Sequence, residues 1–186
     1  MSFAGAPWTN VAPPRPDRLV DAVDDASHAP DPGPGVVEGI FIAAAGREPM
    51  RSVERVRAIA GVGLEGDRYA TGRGHSSANL KVDRHVTLIE AEEIEALADD
   101  FGIHLSFGET RRNVTTRGIR LNELVGGRFR IGAVECAGTR LCEPCQYLTD
   151  FLGKPILAPL VHRAGLRARI LGNGDIALGD EVVALD

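Results

Sequence analysis

From Val36 onward the chain is built of apolar runs of four to seven residues, set close together and separated by glycine-rich turns, with few stretches long enough for a helix. That rhythm admits few architectures. Residues Val36–Ile42, Val53–Ile59, Val86–Ile89, Asn113–Thr116, Arg128–Ile131, Ala133–Ala137, Leu166–Leu171, Asp175–Leu178 and Glu181–Leu185 all read as strands. The turn Gly172-Asn173-Gly174 is a hairpin signal between two of them. Three helices are expected. Glu90–Ala98 places Ala91, Ile94, Leu97 and Ala98 on one face and is stopped by Gly102. Cys145–Leu152 starts beside Pro144 and is stopped by Gly153. A shorter helix fits Ile156–His162. The expected fold is mostly β, a β-barrel-like core with a few helices packed outside it, in the α+β class.

The 186 residues suit one domain. Residues 1–35 differ from the rest, holding seven of the eleven prolines and five Asp against two Arg. They are expected to form a flexible tail, with one short helix over Asp17–Ser27, ahead of a domain spanning residues 36–186. A net charge of −5 gives no global basic field for nucleic acid, and no apolar run is long enough for a membrane span. No signal-peptide pattern opens the chain, so the expected location is cytoplasmic, with neither nucleic acid nor membrane as partner. Lys81 and Lys154 are the only lysines, and neither sits in a recognisable pyridoxal-phosphate motif.

Gly61-Val62-Gly63-Leu64-Glu65-Gly66 matches a dinucleotide-binding pattern, but Asp67–Gly74 has no helical periodicity, so it reads as a glycine-rich turn. Cys142-Glu143-Pro144-Cys145 carries more information. A zinc knuckle lacks its second ligand pair, since Cys136 is the only other cysteine. A thioredoxin-like dithiol lacks its βαβ context. The other readings are a structural cysteine, or one reactive thiolate, Cys145, at the start of a helix. Between Glu109 and Arg140 stand seven Arg against three Glu, a local positive field that suits an anionic ligand and a thiolate. None of the five histidines stands out as a catalytic base.

Four segments then come into register with a known family. Gly63–Tyr69 (GLEGDRY), Arg111–Ile119 (RRNVTTRGI), Gly138–Cys145 (GTRLCEPC) and His162–Ala168 (HRAGLRA) resemble the MOSC domain, the C-terminal domain of molybdenum cofactor sulfurases, also found in small stand-alone bacterial proteins. The resemblance covers Val36–Leu185. It implies a barrel-like fold and a cysteine, matched by Cys145, that ligates the molybdenum of the cofactor or carries sulfur as a persulfide. Arg112 and Asn113 match residues that hold the pterin phosphate or ring, and Thr115, Asp67, Arg68 and Arg163 in the same motifs are further cofactor-binding candidates. The implied cofactor is molybdopterin. The implied activity is reduction of N-hydroxylated compounds with an external electron donor, or sulfur transfer. The alternatives are a non-enzymatic sulfur or cofactor carrier and a Cys142/Cys145 redox dithiol. A cysteine desulfurase or an electron-transfer reductase is the implied partner. Family sulfurases have a pyridoxal-phosphate desulfurase domain ahead of this one, which a 35-residue tail is not expected to replace. Ala164 stands where the family more often has glycine, in Arg163-Ala164-Gly165.

Overall fold

The computed structural model describes residues 33–74 and 84–185. The strands are β1 (Gly35–Ile42), β2 (Arg51–Ser52), β3 (Arg55–Ile59), β4 (Gly63–Leu64), β5 (Val86–Glu90), β6 (Val114–Arg117), β7 (Arg128–Ile131), β8 (Val134–Leu141), β9 (Leu166–Ile170), β10 (Gly174–Ala177) and β11 (Glu181–Leu185). The helices are α1 (Ala91–Phe101) and α2 (Gln146–Leu152), with single 3-10 turns at Phe107–Thr110 and Leu121–Leu124. All of the tail before residue 33 lies outside the described residues, including the helix expected over Asp17–Ser27. Gly35 already belongs to β1.

Seven strands close on themselves in the order β11-β7-β8-β9-β5-β6-β1, with β1 pairing back onto β11. Alternation is the cause. Phe129 and Ile131, Val134 and Cys136, and Leu166, Ala168 and Ile170 point into the interior, where all are buried, while arginines occupy the intervening positions of β7 and β9 and Glu135 that of β8. Burying a side chain of that size contributes roughly 1.5–3 kcal/mol. Among the described strands only β5 and β6 run parallel. A parallel pair needs a crossover rather than a hairpin, and α1 supplies it. Its C-cap, Gly102, takes the left-handed conformation at φ 65° and donates to the carbonyls of Ala98 and Leu97.

Two expectations are corrected. The strand expected over Val53–Ile59 starts two residues later, at Arg55, and Val53–Glu54 separate it from β2. Before them β2 pairs with β1, and after them β3 pairs with β10 in a separate three-stranded sheet, so the chain changes sheets there. The helix expected over Ile156–His162 is a run of turns. Pro159 has no N–H to donate, and His162 takes φ 61°, outside the helical region. The apolar periodicity that suggested a helix is still used. Ile156 and Leu160 join Leu97 of α1 and Leu148 of α2 in a second small core outside the barrel. That packing fixes α2, and with it Cys145.

Candidate functional site

At the open end of the crossover the segment Arg111–Asn113 leads into β6, and its three side chains go different ways. Asn113 is fully buried. Its Oδ1 accepts from the backbone N–H (3.2 Å) and hydroxyl (2.9 Å) of Thr87, and its Nδ2 donates to Phe41 O at 3.1 Å. The amide therefore ties β5 to β1 across β6. Arg112 donates through Nε to Ala164 O (2.8 Å), through Nη1 to Thr110 O (3.2 Å) and through Nη2 to Cys142 O (2.7 Å). Arg111 takes φ 58° and donates to the carbonyls of Glu48 and Gly46, both at 2.7 Å. Burial, reinforced by the nearby Arg68 charge, pulls the Arg111 pKa down from its ordinary value. Both guanidinium groups are thus buried and bonded to neutral carbonyls, not to carboxylates.

These groups form one wall of an open cleft with a cavity volume of about 90 Å³. Opposite them lie Cys142, Glu143, Cys145, Tyr147 and Leu148, and Arg68, Tyr69, Arg84 and Arg167 complete it. Five arginines face one carboxylate. Arg68 is held by Asp67, whose Oδ1 accepts from Arg68 Nη1 at 3.0 Å and from the Ala43 N–H at 3.2 Å, and whose Oδ2 accepts from the Tyr69 N–H at 3.1 Å. Asp67 is fully buried and acts as a positioning residue for the turn and for Arg68. Arg68 and Arg84 both lie over the Tyr69 ring, at 4.5 and 5.8 Å from its centroid. Tyr147 donates its hydroxyl to the same Gly46 carbonyl that Arg111 reaches, pinning the loop between β1 and β2 against α2.

Cys145 is exposed and is the N-cap residue of α2, its carbonyl accepting from the N–H groups of Leu148 (3.0 Å) and Thr149 (3.2 Å). Cys142 is buried, and its N–H donates to Gly165 O at 2.7 Å. All three cysteines are unbridged, and burial pushes the Cys136 thiol up to about 12, inside the barrel core. Residues 142–145 contain neither turn nor bend. Extended chain separates residues three apart by roughly 10 Å, beyond the ~7 Å Cα limit for a disulfide. This conformation separates the two thiols and leaves Cys145 as the one exposed at the cleft.

Of the residues singled out from sequence, the structure brings Cys145, Arg112 and Arg68 to the cleft, with Asp67 directly behind Arg68. Asn113 and Thr115 are fully buried and do not line it. Arg163 turns to α1, where its Nε bonds Glu93 and its Nη1 lies 3.9 Å from Asp100. Sequence reasoning passed over Arg84, Arg111, Arg167, Glu143, Tyr69 and Tyr147 as site residues. Arg111, Tyr69, Glu143 and Arg167 lie inside the four motifs and could have been found there. Arg84 and Tyr147 carry no local signal.

Among the described residues no group of three or more His, Cys, Asp or Glu could hold a bare metal ion. The donor set is instead one soft thiol facing several fixed cations. That set fits a metal that brings most of its ligands on an anionic organic carrier.

Fold and cleft together define a small closed β-barrel protein that gathers guanidinium groups and one exposed thiol at a single opening. The chain belongs to the MOSC domain family, whose sequence profile matches residues 71–183, a family generally linked to molybdenum cofactor binding. Among solved structures it is similar to the YuaD protein from Bacillus subtilis, with a TM-score of 0.67 and 18% identity over 80% of this chain and 94% of that one. It is also similar to YiiM from Geobacillus stearothermophilus (TM-score 0.63, 17% identity, 82% and 76% of the two chains). YiiM from Escherichia coli gives a TM-score of 0.62 at 16% identity, over 83% and 71%. No curated protein matches the chain in sequence. No helix among the described residues is long and apolar enough to cross a membrane.

Proposed function

We propose that the cleft binds the molybdenum cofactor and that Cys145 supplies a thiolate to the metal. One observation carries this reading. The buried guanidinium groups of Arg111 and Arg112 are bonded to neutral carbonyls, and they share a cleft with an exposed thiol. Buried guanidinium groups hydrogen-bonded to no carboxylate among the described residues favour an anion, and a phosphate-bearing pterin is one. Arg68 and Arg112 hold the anionic end, Asp67 fixes Arg68, and Tyr69 with Tyr147 offers aromatic surface for a planar ring. Asn113 acts from beneath, its amide tying β5 to β1. When bound, the metal supplies two-electron, oxygen-atom chemistry. The reaction class is reduction of an N–OH to an N–H, which takes two electrons from an external reductase and two protons and releases water.

The test is molybdenum content by mass spectrometry, with pterin fluorescence after oxidation, on the full chain purified anaerobically from a host that makes the cofactor. Wild type and Cys142→Ala are expected to hold about one metal per chain, and Cys145→Ala to lose it. Metal retained in Cys145→Ala would overturn the assignment. A second reading, a sulfur carrier with a persulfide on Cys145, is favoured by the exposure of that thiol. Its mark is no metal in any variant together with a mass increase of one sulfur on Cys145.

A further inference from the structure

The outward side of the barrel beside the cleft carries an unusual charge pattern. On three adjacent strands, β7, β8 and β9, the interior positions are apolar, and five of the outward positions are Arg128, Arg130, Arg140, Arg167 and Arg169. The register sets these charges side by side. Arg140 lies directly across from Arg167. Arg128 and Arg169 flank Ala137 from opposite sides, one on each neighbouring strand. Like charges directly opposite each other in a sheet weaken the pairing. Glu135 is the only carboxylate on the three strands; it pairs with Arg128, while Arg130 lies 3.5 Å from Glu181 of β11. The face runs into the cleft through Arg167, which lines it. Among the described residues of a chain of net charge −5, this one sheet face carries five arginines against Glu135 and the neighbouring Glu181, and its Arg167 lines the same cleft as the exposed Cys145.

We infer that this face docks an acidic protein surface, placing the partner over the cleft mouth where it can deliver electrons or sulfur. The docking stands on the charge pattern alone; what is delivered rests on the cofactor reading above. Complementarity of this kind raises association rates and fixes orientation. The patch is three strands wide and four to eight residues long, which suits the small interfaces of transient redox complexes. The acidic balance of the remaining molecule, including Glu92, Glu95, Asp99 and Asp100 on α1, opposes a long uniform polyanion and leaves a partner whose acid is confined to one patch.

The experiment uses the full chain and two fluorescein-labelled probes, a 20-residue polyglutamate peptide and a 20-nucleotide single-stranded DNA, read by anisotropy across a salt series. Arg128→Gln/Arg169→Gln, which leaves every cleft residue intact, is compared with Arg55→Gln/Arg57→Gln. The latter removes the same charge from the separate sheet, where both arginines face Asp175. The peptide is expected to bind in low salt, and to bind roughly tenfold more weakly to the first variant, as the loss of two modest ion pairs predicts. The second variant is expected to bind it as wild type does. Equal weakening in both variants would reduce the effect to net charge and overturn the inference, as would no peptide binding. DNA binding tighter than peptide through Arg128 and Arg169 would reassign the face to nucleic acid. No cofactor enters the measurement, so a failed metal analysis would leave the docking result standing.

Discussion

Arg112, Asn113 and Gly165 show how residues inside the family motifs hold the backbone around the cleft. Arg112 satisfies three carbonyls from three separate segments, a geometry only a planar fork provides. Arg112→Lys is expected to cost about 2–4 kcal/mol in urea denaturation, because buried carbonyls lose their donors. Asn113→Ala is expected to cost about 2 kcal/mol for the same reason. Cys145→Ser, on an exposed position, is expected to stay within ~0.5 kcal/mol of wild type. If Asn113→Ala binds no metal yet unfolds like wild type, its role is direct and the structural account of it fails. Gly165 takes φ 97°, and an added Cβ would meet the Leu88 carbonyl oxygen at 1.9 Å. Gly165→Ala is expected to destabilise by about 3 kcal/mol or more, by strain and by displacement of β9 from β5. Ala164 beside it is buried and takes no such conformation, so a family preference for glycine there is not required by this backbone.

At the scale of elements, what could be read from sequence depended on whether the signal was local. The strands β7 and β11 fall where alternation and turn residues put them, and α1 differs from its expected span by a few residues at the C-terminus. Those signals lie within one run of residues. The switch between β2 and β3 and the turns at 156–163 follow from pairing partners and from one proline, which a periodicity argument over a short window weights too little. The cleft was half legible for the same reason. Arg68, Arg112 and Cys145 sit in motifs, whereas Arg84 and Tyr147 reach the cleft only because β5 and α2 are placed there by the barrel and the second core. α1 also carries a testable electrostatic feature at its N-cap. Burial pushes the Glu90 carboxyl above its ordinary value, although the Leu121 N–H and the Arg120 charge pull the other way. A raised carboxyl contributes stability that is full below its unfolded pKa and lost as pH rises through its folded value. Glu90→Gln mimics the protonated form. Its stability relative to wild type is therefore expected to improve from about pH 4 to pH 8, measured by urea denaturation at each pH. An opposite slope would mean that the Arg120 and Leu121 contacts outweigh burial.

Taken whole, the molecule is a barrel shut by a short seam. β1 and β11 share two ladder pairs, Gly35 with Val182 and Val36 with Glu181, extended by Val37, which donates to Asp180 O and accepts from the Gly179 N–H, both at 2.9 Å; β7 and β8 share four pairs and β8 and β9 five. The seam joins segments nearly 150 residues apart in the chain, so closing it carries the entropy of a very long loop. Deleting residues 181–186 is expected to leave β1 and β7 as open edges and to yield a protein that self-associates, seen as higher species in size-exclusion chromatography. A monomeric, folded deletion product would show that closure is dispensable.

The seam also sets an order of events during synthesis. Chains leave the ribosome at about 5–20 residues per second, so β1 waits several seconds for the strand that shuts the barrel. Throughout that interval the cleft is already being assembled, since its loop, its arginines and Cys145 all precede β11. The nascent protein thus holds its cleft-lining groups before it holds its final shape, with β1 and β7 open beside them.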